Sequence, residues 1–485
     1  MKIKIKWNPK GIWLLGIVLL LLAFNSNAQP VTQIAAGYQH TLFLKGDGSL
    51  WAMGNNNHGQ LGDGTANLVS SWPEMILASN VTAIAAGIDH SLFLKRDGSL
   101  WGMGGNYYGQ LGDGTTDDIN HPEMIVPSNV KAIAVGKGAN DYPFSLFLKT
   151  DGSLWAMGNQ AYGQLGDGVD LTNFSDQYVN VPEQIVPSGV AAIAVGNDHA
   201  LFLKSDGSLW AMGDNSYGQL GDGSTDGDNY WTNQPEQIVA SGVAAIAAGP
   251  HCSLFLKSDG SLWAMGDNAN GQLGNGVVVT NGLDRYINVP EQILTNGVKA
   301  IAADIVDTLL LKSDGNLWAL GENSIGQLGS YPFHIGNGGP SATNVPQQIV
   351  SGVITTIAAG YQTTFFIKSD GSLWGVGDCT YGQLGLGLIP YRQGWGLEFY
   401  YPVRIVTGPP GFNLISGQLM MDGEIIQLSF VGIAGENYVL DRSFSLSPPN
   451  WIAQATNAAD SFGALVFTNK PNPATNNFWR VRSMP

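Results

Sequence analysis

Along residues 29–406 the hydrophobic positions fall into short runs separated by small and polar residues, and the runs return in the same order seven times. The second unit reads most clearly. Val81-Thr82-Ala83-Ile84-Ala85-Ala86-Gly87 predicts a strand of small residues, suited to the crowded centre of a ring. Ser91-Leu92-Phe93-Leu94-Lys95 predicts a second strand with both faces apolar, since Leu92 and Leu94 fall on one side and Phe93 on the other. Asp97-Gly98 predicts a tight hairpin, because both residues tolerate positive φ, and Ser99 to Met103 a third strand. After a loop, Pro122-Glu123-Met124-Ile125 predicts a short outer strand, where proline's missing donor does no harm. That element recurs at Pro73, Pro182, Pro235, Pro290, Pro346 and Pro402.

The third strand carries a tryptophan in every unit: Trp51, Trp101, Trp155, Trp210, Trp263, Trp318 and Trp374, spaced 50, 54, 55, 53, 55 and 56 residues apart. Such a ring is large enough to fill the wedge between neighbouring units. Four antiparallel strands repeated seven times predict an all-β chain closed into a seven-bladed propeller. An open solenoid would carry polar caps, and the first and last units are as apolar as the middle ones.

Thr407-Gly408-Pro409-Pro410-Gly411 reads as a linker, and residues 412–485 as a small, β-sandwich-like C-terminal domain. Its candidate strands are Ile425 to Val431, Tyr438 to Asp441, Ala464 to Phe467 and Phe478 to Val481. Residues 1–28 have the form of a secretory signal: Lys2, Lys4, Lys6 and Lys10, an apolar run from Gly11 to Phe24, then Ser26-Asn27-Ala28. The expectation is export, to the medium, the periplasm or the cell surface, with no stable membrane span after cleavage. Losing four lysines takes the net charge from −16 to −20, which opposes binding to nucleic acid. Cys252 and Cys379 lie in different units and read as small buried hydrophobes.

Ile34-Ala35-Ala36-Gly37-Tyr38-Gln39-His40-Thr41-Leu42-Phe43-Leu44, then Asp47-Gly48-Ser49-Leu50-Trp51-Ala52-Met53-Gly54, then Gly59-Gln60-Leu61-Gly62, resembles the regulator of chromosome condensation repeat. The resemblance covers all seven units and implies a seven-bladed propeller. His40, His90 and His199 match that family's histidine, while Phe144, Cys252, Asp307 and Thr363 replace it elsewhere, and Asp304 stands where the preceding glycine belongs.

No catalytic motif is present: neither Gly-x-Ser-x-Gly, His-Glu-x-x-His, a P-loop nor paired Cys-x-x-Cys occurs. Groups that recur seven times read as structural, because catalysis needs an asymmetric constellation. Neither a catalytic residue, a cofactor nor a metal is expected. Asp222-Gly223-Ser224-Thr225-Asp226-Gly227-Asp228 resembles half a calcium loop, but Asn233 stands at its twelfth position, and an acidic surface loop is the simpler reading.

The connections after Gly-Gln-Leu-Gly vary in length and hold the aromatics that do not repeat, Phe174, Tyr178, Tyr286, Tyr331, Phe333, Tyr391 and Phe399 among them. Tyr230 and Trp231, and Trp395 with Tyr400 and Tyr401, are the candidate anchors for a partner. Packing over blade edges is the competing reading of these rings. The expected function is a secreted, monomeric, non-enzymatic scaffold that binds an extracellular protein or glycan. Three alternatives stand beside it. The resemblance implies a guanine-nucleotide exchange regulator of a small GTPase. A secreted inhibitor of a beta-lactamase has a similar propeller and suggests inhibition of an extracellular enzyme. A polysaccharide-acting enzyme would need an asymmetric carboxylate cluster in the central funnel.

Overall fold

The computed structural model describes residues 29–405 apart from 67–68, 138–141, 170–176, 225–230, 278–285, 305–306, 330–341 and 388–397, together with strands Ile3–Ile5, Met420–Asp422, Ile425–Val431, Asn437–Ser443, Ile452–Ala458, Ala464–Asn469 and Asn477–Ser483. Two compact units divide it, one spanning 29–385 with 396–405 and the other holding the chain ends.

The larger unit is a seven-bladed propeller. Each blade is a four-stranded antiparallel sheet whose strands follow one another in sequence, as in Val81–Ala86, His90–Lys95, Leu100–Gly104 and Ile119–Val126. No blade borrows a strand. The ring closes because the inner strand of the first blade, Val31–Ala36, packs beside that of the last, Ile354–Gly360. Main-chain bonds from Val31 N to Gly371 O (3.0 Å) and from Tyr361 N to Gly37 O (3.3 Å) cross this junction.

The cores lie between blades. Leu42, Leu44, Leu50, Ala52 and Leu61 of the first blade pack against Val81, Phe93, Met103 and Trp101 of the second. Trp101 therefore fills the interblade wedge, as its periodicity predicted. Its ring stacks on Phe93 (centroids 6.1 Å) and lies under Lys95 Nζ (3.4 Å). Its indole N–H donates to Ser99 Oγ at 2.8 Å.

The hairpins differ from expectation in one detail. Gly98 alone takes positive φ (78°). Gly98 N donates to Lys95 O (2.9 Å), and the Asp97 carboxylate accepts from Ser99 N (2.9 Å). The aspartate acts as a cap rather than as a left-handed residue. That hydroxyl-rich cap holds the Asp97 carboxyl below its usual range.

The outer strands are longer than the proline positions suggested. They begin three or four residues before the proline, as in Tyr178–Val186 and Glu398–Ile405. A register shift before the proline, between Gly102↔Glu123 and Gly104↔Ile119, absorbs the lost ladder bond. Tyr178, Trp231, Tyr286, Phe399, Tyr400 and Tyr401, read from sequence as loop residues, therefore lie on outer strands.

In the other unit, Ile425–Val431 and Ala464–Asn469 pair antiparallel, and Asn437–Ser443 pairs with both Ile452–Ala458 and Asn477–Ser483. Ile3–Ile5 pairs with Asn477–Ser483. All four strands anticipated there form, and Ile452–Ala458 and Met420–Asp422 add to them. Among the described residues no helix is long and apolar enough to cross a membrane.

Candidate functional site

The inner strands surround an axial channel of about 270 Å³, lined by Ile34, Ile84, Ile133 and Ile357 and by a succession of alanines. At its rim each inner strand ends on a glycine that touches the next blade's main chain. A Cβ built on Gly37 would lie 2.4 Å from Gly87 O, and one on Gly196 2.6 Å from Gly249 O. Space, not φ, requires glycine there. The sixth blade has Asp304 instead, and its carboxylate accepts from Gln362 N of the seventh blade (3.2 Å). Lys137, the one charged residue lining the channel, extends from the third blade to donate to Ala359 O of the seventh (3.1 Å). Burial pulls the Lys137 amine down and Asp304 nearby partly restores it.

The three histidines are interblade struts. His40 Nε2 meets Ser91 Oγ (2.9 Å), His90 Nε2 meets Ser145 Oγ (3.0 Å) and His199 Nε2 meets Ser253 Oγ (2.9 Å). Each serine donates onward to a carbonyl: Ser91 to Gln60 O (2.8 Å), Ser145 to Gln110 O (2.8 Å) and Ser253 to Gln219 O (2.7 Å). Because the serine proton is committed, Nε2 must be the protonated nitrogen of a neutral ring. Burial holds all three at about 3. The histidine the sequence marked in three blades is thus structural, its partner a serine of the next blade. Where Phe144 replaces histidine, the next blade has Ala200 in the serine position, and the two share one apolar cluster.

The sixth blade departs furthest. Asp307 sits in the histidine position, wholly buried, and is driven well above the carboxylate range by burial, Asp304 and Glu322. Neither Asp304 nor Asp307 lines the channel, and both are fully buried between blades. This asymmetric pair therefore does not present a carboxylate to the funnel. Cys252 and Cys379 are free, buried thiols raised to about 12 by burial.

The connections that follow the third strands of the first, second and fourth blades share one clasp. Asn106 Nδ2 donates to Asp113 Oδ1 (2.9 Å) while Leu111 N donates to Asn106 Oδ1 (3.0 Å). Asp222, the first residue of the calcium-like stretch, makes the same clasp with Asn215 (3.0 Å) and caps Ser224 N (2.8 Å). Its carboxylate is thus a repeated structural element; Asp226 and Asp228 lie outside the described residues.

Of the five anchors inferred from sequence, Tyr230 and Trp395 lie outside the described residues. Trp231 is half-buried and opens an outer strand opposite Asp214. Tyr400 packs against Gly326 of the sixth blade, and its hydroxyl donates to Glu398 at 2.5 Å. It occupies the place where Asn120 and Asn180 pin the preceding blade's loop by donating to Gly64 O (3.0 Å) and Gly114 O (2.9 Å). Tyr401 is 64% exposed.

A second aromatic set escaped the sequence reading. The residue before Gly-Gln-Leu-Gly is tyrosine at Tyr108, Tyr162, Tyr217 and Tyr381. Its N–H is tied to the glutamine that follows, as Tyr108 N to Gln110 Oε1 (2.9 Å), so the ring is held at the rim. Tyr107, Tyr108, Tyr142 and Tyr162 form a continuous row, with centroid separations of 4.8, 6.3 and 5.3 Å. Beside it, burial and Asp214 push the Asp198 carboxyl up to about 8.

This architecture is that of a repeat propeller, and the family model of the RCC1-like domain matches residues 18–291. Models of the regulator of chromosome condensation repeat match 314–367 and 354–383. The chain belongs to the RCC1-like domain family. It is 28% identical over 240 residues to the ultraviolet-B receptor UVR8 of Arabidopsis thaliana, covering 48% of this chain and 50% of that protein. It is 30% identical over 250 residues to the human probable E3 ubiquitin-protein ligase HERC4, covering 51% of this chain and 18% of that one. The matched span is therefore half or less of these relatives. Among solved structures, Prp20p of Saccharomyces cerevisiae superposes with a TM-score of 0.57 at 24% identity, over 68% of this chain and 80% of that one. Human WBSCR16 does so at 0.62 and 22%, over 75% and 94%. These likenesses carry the fold.

Proposed function

We propose that this protein is an exported binding scaffold: residues 1–28 are removed, and the mature propeller holds an extracellular protein or glycan on the rim that carries its long connections. One observation carries the reading. The Asp-Gly rim repeats almost unchanged, whereas the opposite rim is where blades differ and where aromatic side chains stand in solvent, Tyr107 at 74% exposure. A specific partner must read differences, and varied loops on a rigid frame are the usual means. Relatives support a binding or regulatory role: the work on Prp20p describes its binding to Gsp1p and histones.

Two measurements test it. N-terminal sequencing of protein recovered from the medium should begin at Gln29; an intact chain in the cytosol contradicts export. Capture of a partner by the immobilised mature protein should weaken with Trp231→Ala or Tyr401→Ala at an unchanged melting temperature, while Asp206→Asn on the opposite rim leaves it alone. The reverse pattern refutes the placement.

A further inference from the structure

Charge is segregated across the propeller. Every second strand ends in a lysine beside the Asp-Gly turns: Lys45, Lys95, Lys149, Lys204, Lys257, Lys312 and Lys368. Arg96 and Arg404 lie at that end too. The seven turn aspartates are offset there. On the opposite rim the described connections carry Asp63, Asp89, Asp113, Asp117, Asp118 and Asp198, and their one amine among the described residues is Lys137, turned into the channel. The turn rim is therefore close to charge-balanced, and the opposite rim is acidic.

That same face holds the tyrosine row of blades two to four. Tyr107 stands in solvent at 74% exposure, with Tyr108, Tyr142 and Tyr162 half-buried behind it. Carboxylates flank the row on both sides. Asp118 and Asp89, at 44% and 34% side-chain exposure, bracket His58, whose Nδ1 lies 2.7 Å from Asp118 Oδ2 and Nε2 4.0 Å from Asp89 Oδ2. A cation there would share these carboxylates with His58 or replace it. Asp118 Oδ1 accepts from Asn106 N next to Tyr107 (2.9 Å), and Asp198 lies by Tyr162. Asp198 is 4% exposed and Asn197 2%; Asn197 Nδ2 donates to Asp198 Oδ2 (2.8 Å). The remaining oxygen of each, Asp198 Oδ1 and Asn197 Oδ1, has no hydrogen-bond partner among the described residues. Burial and Asp214 push the Asp198 carboxyl up to about 8, so it is largely protonated at neutral pH, and a cation brought beside it would displace that proton. Phenol faces with adjacent carboxylates form the environment that favours an ammonium or guanidinium group.

Resting on the rim reading above, we propose that the partner is basic: a lysine- or arginine-rich polypeptide segment lies along the tyrosine row of blades two to four, its cations over the rings and between Asp89, Asp118 and Asp198. The segment approaches the acidic face under electrostatic steering, so its association is fast at low salt and falls as salt rises. The tyrosines supply contact area that survives screening.

The test uses the full mature chain and a fluorescein-labelled peptide of alternating lysine and glycine, with the glutamate–glycine peptide as comparison, read by fluorescence polarisation at two salt concentrations. The lysine peptide should bind and the glutamate peptide should not. Asp89→Asn and Asp118→Asn should each weaken binding about threefold at low salt. Tyr108→Ala and Tyr162→Ala should each weaken it about fivefold at both salt concentrations. Asp206→Asn on the turn rim should change nothing. The proposal is overturned if the two peptides bind alike, if Asp206→Asn weakens binding as much as Asp89→Asn, or if the rim variants leave it unchanged. Circular dichroism melting of each variant separates lost binding from lost folding. Should the lysine peptide fail while capture of a partner still depends on Tyr401, the rim reading survives and the basic partner does not. If capture is also indifferent to the rim, both fall.

Discussion

Trp318 shows what a single position in the repeat contributes. In six blades the indole N–H donates to the serine of the Asp-Gly-Ser turn, as Trp155 Nε1 to Ser153 Oγ at 2.9 Å. The sixth blade has Asn316 there, and Trp318 Nε1 is left without a partner among the described residues. Asn316→Ser should restore the bond and raise stability by about 1 kcal/mol, less the exposed bond that Gly352 N now gives to Asn316 Oδ1 (3.1 Å). A lower denaturation midpoint would contradict this. The histidine struts make a second residue-scale case. Their folded value of about 3 lies below the ordinary 6.5, so the unfolded chain takes up protons first. Their stabilisation is complete above about 6.5 and is lost as pH falls toward 3, each with a slope of about 1.4 kcal/mol per pH unit. The third blade already shows an apolar alternative in Phe144 and Ala200. Transplanting it as His90→Phe with Ser145→Ala should leave the melting temperature near wild type at neutral pH and flatten its fall between pH 6 and 4. An unchanged acid slope would show that His90 is not held neutral.

At the scale of elements, hydrophobic alternation located each blade's four strands, and the tryptophan spacing located the interblade wedge. Trp155 packs on the second blade's face with Leu92, Leu94 and Leu111, and stacks on Phe147 at 6.0 Å. Trp155→Ala should cost about 3 kcal/mol; an unchanged urea midpoint would mean the ring does not fill that wedge. Strand length was less legible than strand existence. A proline marks a break in the ladder, and from sequence it suggested the beginning of the outer strand. The bulge lets pairing resume on its far side, as Gly54↔Ser70 does before Pro73. That extension moved Tyr400 from a free loop to a packed contact on Gly326. The Tyr108, Tyr162 and Tyr217 positions were visible in the repeat itself. The sequence reading passed over them, and only the rim geometry showed that rings held by backbone bonds also make a surface. The Asn197-Asp198 pair carried no sequence signal, because its meaning depends on which partners are missing in three dimensions.

At the scale of the whole molecule, seven self-contained blades pack face to face, and the ring is closed by packing and a few main-chain bonds. Thr41 Oγ1 of the first blade donates to Gln383 O of the last (3.0 Å), the counterpart of Ser91 to Gln60 elsewhere. The junction is thus built like every other interblade contact, and the frame is rigid enough to present two unlike rims. One is regular and charge-balanced; the other is acidic, aromatic and different in every blade. The central claim is that this second rim is the working surface. Hydrogen–deuterium exchange of the mature protein, alone and with its captured partner, tests it directly. Protection should appear in the connections 56–66, 105–118 and 196–198 and in the strand end 398–401, with the Asp-Gly turns 46–49, 96–99 and 205–208 unchanged. Protection confined to those turns, with the long connections exchanging as before, would contradict it.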